Sequence, residues 1–197
     1  MNGRGKTYPQ DDVKKVVIVG NGPSRVNAPH DGEVWTMNNH CLLWDWQPTA
    51  VFEMHPDALV TDRYSPEYRH WLRQPHTFPI YMHKADPGIP ASVTYPRQEI
   101  YYGQFVTKGD RKIADFYSTT VPYMLALALH QGYRRVELWG VDLKATARQA
   151  HRDCVFFWMG ILGAYGVDIY IPEESLLMND WLYPMLAPPP EKRSLFK

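Results

Sequence analysis

Cysteine is scarce in this sequence. Two residues, Cys41 and Cys154, stand far apart among 197, with no metal-ligand spacing between them. That excludes a disulfide scaffold and a cysteine-based zinc site, and a reduced intracellular protein is the simplest reading. Net charge is also missing, because 21 basic residues face 21 acidic ones. A general nucleic-acid-binding surface needs a basic excess, so nucleic acid is not the expected partner, a local patch aside. Long apolar runs are lacking too. The longest uncharged one, Cys154 to Val167, falls short of the ~20 residues that span a bilayer and reads as a buried helix. Met1 to Asp12 is polar, unlike a signal peptide. The expectation is a cytoplasmic protein without a membrane span.

What is present suits one globular unit. Hydrophobic residues make up 45%, with 7 Trp, 13 Tyr and 7 Phe for a packed core and stacking surfaces. The expected division is a flexible arm over 1–12, a nucleotide-binding Rossmann-like domain over 13–180 and a C-terminal tail over 181–197.

The chain is organised around Val16-Val17-Ile18-Val19-Gly20-Asn21-Gly22-Pro23-Ser24. Four β-branched residues in a row predict a buried parallel strand. Gly20 and Gly22 then allow a tight turn and the close approach of a ligand. Pro23 suits the first position of a helical turn, and Ser24 adds a hydroxyl. Such a nest of N–H groups can hold phosphate oxygens, or it can be a plain structural turn. It is not the dinucleotide fingerprint, because Arg25 stands where a third glycine belongs. The next strand, Val34 to Asn38, ends in the amides Asn38 and Asn39 instead of a ribose-binding acid. Amides suit a nucleobase edge or a sugar hydroxyl. A P-loop is excluded by the lack of Gly-Lys-Ser/Thr.

Further strands are expected at Thr49 to Pro56, Phe78 to His83, Arg135 to Trp139 and Val167 to Ile171. Helical spacing predicts helices over Thr61 to Gln74, from Val121 to Gly132, and from Ala145 to Tyr165. Arg25 to Gly32 has room for a turn and no long helix. Ser92 to Gly109 reads as small strands or a lid. One of Ser118, Thr119 and Thr120 is the expected N-cap of the second helix. This alternation predicts an α/β fold: a single Rossmann-like domain whose mostly parallel sheet carries helices on both faces.

In such a sheet the ligand sits at the carboxyl ends of the strands. Gly20 to Ser24, Asn38-Asn39, Ser118 to Thr120 and Gly140 to Asp142 should meet there. Asp142 could hold Mg²⁺ through its carboxylate or cap the helix that follows it. His151, flanked by Arg148 and Arg152, is the candidate general base, the arginines standing ready for a phosphate leaving group. A structural histidine on a helix is the plainer alternative.

Two groups of blocks carry a resemblance. Gly20-Asn21-Gly22-Pro23-Ser24, Trp35-Thr36-Met37-Asn38-Asn39 and Val51-Phe52-Glu53-Met54-His55-Pro56 are similar to the nucleotide-binding half of the bacterial CMP-sialic acid sialyltransferases of the Campylobacter and Haemophilus type. Ser118-Thr119-Thr120-Val121, Gly132-Tyr133 and Val136 to Asp142 resemble that family's second half. The resemblance covers roughly residues 14–178. It implies an inverting transferase that uses a CMP-sugar donor and a hydroxyl acceptor, with no metal required. It places nucleotide contacts on Asn21, Gly22, Ser24, Asn38, Thr119 and Thr120, and the general base on His151. The family's lid with its tyrosines is reduced here to Lys144 to Ala150, which contains none; Lys144, Arg148 and Arg152 are candidates to replace them. A second resemblance, through the Gly-Pro-Ser turn and the Gly-x-Asp block, is to archaeal 6-hydroxymethylpterin pyrophosphokinases. It implies ATP and Mg²⁺, with Asp142 as metal ligand. A nucleotide-sequestering module without turnover is the non-enzymatic alternative, and a homo-oligomer stays open.

Overall fold

A computed structural model describes residues 13–100, 107–108, 111–112, 116–143 and 149–178. The expected arm, the C-terminal tail, Lys144 and Arg148 lie outside the described residues.

Seven parallel strands form the main sheet. They are β1 (Lys15–Val19), β2 (Val34–Met37), β3 (Ala50–Phe52), β4 (Ile80–Met82), β5 (Ser92–Thr94), β8 (Arg135–Trp139) and β9 (Asp168–Tyr170). Between β5 and β8 in sequence, β6 (Thr107–Lys108) and β7 (Arg111–Lys112) pair as a separate antiparallel ladder. The sheet runs β5-β4-β3-β2-β1-β8-β9. The winding moves outward from β1 to β5 and then resumes on the other side of β1. The order therefore reverses between β1 and β8, where Val19 pairs with Trp139.

The central strands are buried on both sides, which is why they read as apolar runs. Val16 to Val19 are all inaccessible to solvent. Alternate residues serve opposite faces. On one face Val16, Ile18, Trp35, Phe52 and Leu138 share a core with α2 (Thr120–His130) and α3 (Gln149–Ala164). On the other, Val51, Ile80 and Met82 pack with Tyr68 and Leu72 of α1 (Pro66–Leu72). Helices thus cover both faces, as the alternation predicts. Helix α2 is buried all round from Thr120 to Ala128, as a central helix must be. Each large side chain fully buried there contributes about 1.5–3 kcal/mol.

Several expected elements are shorter than their apolar patterns. The helix expected from Thr61 begins at Pro66, because the Ser65 hydroxyl accepts from the Tyr68 N–H and Pro66 occupies the first helical position. The strand expected through Pro56 stops at Phe52, because the Glu53 carboxylate accepts from the His55 N–H and turns the chain. The cap expected among Ser118, Thr119 and Thr120 falls on Thr119, whose side chain makes no capping bond. Of Ser92 to Gly109, expected as small strands or a lid, Ser92 to Thr94 is a small strand, the edge strand β5.

Candidate active site at the strand-order reversal

Two glycine turns interlock where the strand order reverses. The Gly20 N–H donates to the Trp139 carbonyl at 2.8 Å, and the Gly22 N–H to the Gly140 carbonyl at 2.8 Å. The Ser24 hydroxyl accepts from the Gly140 N–H at 2.8 Å. Gly140 takes φ +65°, a conformation that favours glycine. A Cβ on Gly20 would fall on the Gly140 carbonyl oxygen, and one on Gly22 would fall on the Asp142 carboxylate. Gly20 and Gly22 are therefore required first by the neighbouring turn, before any ligand is considered.

Asp142 is the clamp of this crossing. It is 4% exposed. Its Oδ2 accepts from the Ser24 N–H and its Oδ1 from the Leu176 N–H, each at 3.1 Å. The carboxylate thus caps the short 3₁₀ helix Pro23–Asn27 and ties in the 3₁₀ helix Leu176–Met178. Both bonds go to segments other than the helix that follows Asp142, which the sequence expected it to cap. Asn21 is exposed on the same turn, and its carbonyl accepts from Arg25 at 2.7 Å.

Past β2 the chain enters a 3₁₀ helix, Asn38–Leu43, with Asn38 at φ +52°. Asparagine is one of the few side chains that tolerate this region. Among the described residues, the buried Asn38 Oδ1 and His40 Nδ1 have no hydrogen-bond partner. Buried polar atoms normally do, so these two are exceptions at the carboxyl end of β2. Burial, helped by the nearby Arg25, pushes the His40 imidazole down to about 4. It stays neutral at ordinary pH. Asn39 is exposed beside Asn38.

The second half of the crevice is assembled by α2 and α3. The Ser118 hydroxyl donates to the Ala150 carbonyl at 2.7 Å, and the Ser118 N–H donates to Cys154 Sγ at 3.3 Å. Ser118 is thus bonded to the first turn of α3. His151 is half-buried, on the same helical stripe as the core residues Cys154, Val155, Trp158 and Leu162. Arg152 donates to the carbonyls of Leu143 at 3.1 Å, after β8, and of Leu177 at 3.3 Å, after β9, so two of its N–H groups already tie α3 to both segments. Both cysteines are free and buried, and burial pushes the Cys41 thiol up to about 12.

Sequence reasoning passed over a third cluster, at the end of β3. Glu53 is completely buried. Its Oε1 accepts from the His55 N–H at 3.0 Å, stands 2.7 Å from His55 Nδ1, and accepts from the Tyr64 hydroxyl at 3.2 Å. Its Oε2 accepts from the Tyr68 hydroxyl at 2.9 Å. Burial and the Glu53 charge raise the hydroxyl pKa values of Tyr64 and Tyr68 well above the usual range. The readable signal was a glutamate inside the apolar run Val51-Phe52-Glu53-Met54.

No family model matches the sequence, and no curated protein matches it. Solved structures do. The chain is similar to monomeric CstII at 18% identity and TM-score 0.53, covering 84% of each chain. It is similar to the monofunctional alpha-2,3-sialyltransferase Cst-I from Campylobacter jejuni at 16% identity and TM-score 0.50, with 87% of this chain and 80% of that one covered. The sialyltransferase CstII from Campylobacter jejuni in complex with cytidine-5'-monophosphate matches at 21% identity and TM-score 0.47 over 85% and 83%. At such identities the likeness speaks for architecture: the parallel α/β sheet that carries this crevice is the fold of CstII and Cst-I.

Proposed function

We propose that the protein is a glycosyltransferase that takes a sugar from a nucleotide-activated donor, CMP-linked by preference, and passes it with inversion to a hydroxyl acceptor. The observation that carries this reading is the pair of unpartnered buried atoms, Asn38 Oδ1 and His40 Nδ1, at the carboxyl end of β2. They stand beside the glycine turns at the strand-order reversal, where open α/β sheets bind ligands. The shared fold with an enzyme named as a sialyltransferase supports it.

In this reading Asn21, Asn38, Asn39 and Thr119 meet the nucleotide with side-chain polar groups, and Thr120 presents the N-terminal N–H groups of α2. Gly20, Gly22, Ser24, Ser118 and Asp142 hold the walls in place. His151 removes the acceptor's proton. Arg152 and Arg148 stabilise the departing phosphate, Arg152 through its remaining N–H groups. Against Mg²⁺, both Asp142 oxygens already accept backbone N–H bonds. In the pyrophosphokinase reading Asp142 would have to hold Mg²⁺ while keeping both of these backbone bonds.

The test is release of CMP from CMP-N-acetylneuraminic acid in the presence of EDTA. Turnover that His151→Ala lowers by roughly 10²–10⁴-fold, with donor affinity unchanged, is the expected result. Full turnover in His151→Ala would remove the base assignment. Tight CMP binding with no turnover in any condition would leave the sequestering module.

A further inference from the structure

Half of one sheet face carries no helix among the described residues. Val19 pairs with Thr36 and with Trp139, Thr36 with Val51, and Glu137 with Tyr170, so Val17, Val19, Val51, Trp139 and Tyr170 share a side. On that side α1 packs on Val51 of β3 and on Ile80 and Met82 of β4. The strand order explains what is left bare. Right-handed crossovers that step from β1 outward to β5 run on the α1 face. The two that step the other way, through α2 to β8 and through α3 to β9, run on the opposite face. No crossover therefore lies over β8 and β9 on the α1 face. Parallel sheets are normally covered on both sides, which leaves that cover to a segment before β1 or after β9.

A row of rings stands on this bare half. His30 stacks on Trp46 with centroids 5.9 Å apart, Trp46 stacks on Trp44 at 4.6 Å, and Trp139 leans on Tyr170 at 5.6 Å. Trp44, Trp46 and Trp139 belong to one apolar cluster with Val17, Val19 and Val34, which joins the two groups. His30 is exposed, Trp44 and Trp46 are half-buried, and Tyr170 is 39% exposed. The end of the described chain selects the segment that fits. The Asn27 amide donates to Glu174 Oε1 at 3.4 Å, and the Leu176 N–H donates to Asp142. The chain thus reaches Met178 at the carboxyl ends of β1 and β8, and Ala28, next to Asn27, packs on the aromatic face. Nineteen residues, 179–197, follow. Among 181–186, Trp181, Leu182, Tyr183, Met185 and Leu186 are large and apolar, and Pro188, Pro189 and Pro190 come after them. Prolines have no N–H to leave unpaired, and proline-rich segments dock on aromatic-lined surfaces. Six residues of extended chain span about 20 Å, more than the ~15 Å from β9 to β2. Residues 1–12 offer Met1 and Tyr8 as their only large apolar side chains, a poorer match.

We propose that this aromatic row is the docking surface for residues 181–190 of the same chain, which cross it and close the face of β1, β8 and β9. The inference goes beyond the glycosyltransferase reading and stands or falls without it.

The experiment is photo-crosslinking of the full chain carrying Tyr183→p-benzoylphenylalanine. After irradiation and digestion, mass spectrometry should find the crosslink within one chain, on residues 28–30, 44–46, 139 or 168–170. Hydrogen exchange is the second measurement, on the full-length variant Trp181→Ser, Tyr183→Ser, Leu186→Ser. Its β9 amides should exchange roughly tenfold faster than wild type or more, since each large apolar side chain lifted off the face removes about that factor of local stability. Should this variant fail to fold, the crosslink decides alone. Crosslinks between two chains would give the face to a second copy and overturn the proposal. Crosslinks elsewhere in the chain, or β9 exchange at the wild-type rate in the folded variant, would overturn it as well.

Discussion

Single residues in this crevice serve the turn before they serve a ligand, and this changes what substitutions there report. Gly22 looks in the sequence like a place where a side chain would block phosphate. A Cβ there meets the Asp142 carboxylate and stands 2.8 Å from the Gly140 carbonyl. Gly22→Ala should therefore lower stability by about 1–3 kcal/mol through overpacking. A urea midpoint that moves with the slope unchanged would show it. Asp142→Asn leaves one of the Ser24 and Leu176 N–H groups facing an amide donor, and the cost should again be about 1–3 kcal/mol. His40 supplies a pH test. Its folded-state value near 4 lies below the ordinary 6.5, so the unfolded chain binds the extra proton between the two. Stability should fall as pH drops from about 6.5 to 4, by up to about 1.4 kcal/mol per unit. His40→Gln should flatten that slope, and an unchanged profile would show that His40 is not the cause.

At the scale of elements, the two helix starts make opposite predictions. Ser65 accepts from the Tyr68 N–H and caps α1. Ser65→Ala should cost about 1 kcal/mol. Thr119 precedes α2 without a capping bond, so Thr119→Ala should leave thermal unfolding nearly unchanged while weakening nucleotide binding. Equal losses of stability in the two variants would contradict this. The same elements show what the sequence could reveal. Buried parallel strands are apolar on both faces, so Val16 to Val19 was legible as a strand, and Arg135 to Trp139 was legible despite Glu137 within it; the interlock of the turns after them was not. The Asp142 clamp was harder to read, because one carboxylate joins residues 118 and 34 positions away. The Glu53 cluster was harder still. Its partners lie 2, 11 and 15 residues on, a spacing set by a turn and by α1, with no periodicity to announce it.

For the whole molecule, the strand order explains why distant segments converge. Residues from β1, β2, the start of α2 and the end of β8 all reach one edge of the sheet, and α3 closes over them through Ser118 and Arg152. The reading of that edge as a nucleotide-sugar site makes its most direct prediction about binding. The decisive measurement is calorimetric titration with CMP in EDTA, on wild type and on Asn38→Ala. CMP should bind wild type without metal, and removal of the Asn38 amide should weaken it by about 1–3 kcal/mol. No binding of CMP, or equal affinity in Asn38→Ala together with binding of ATP only when Mg²⁺ is added, would contradict the account.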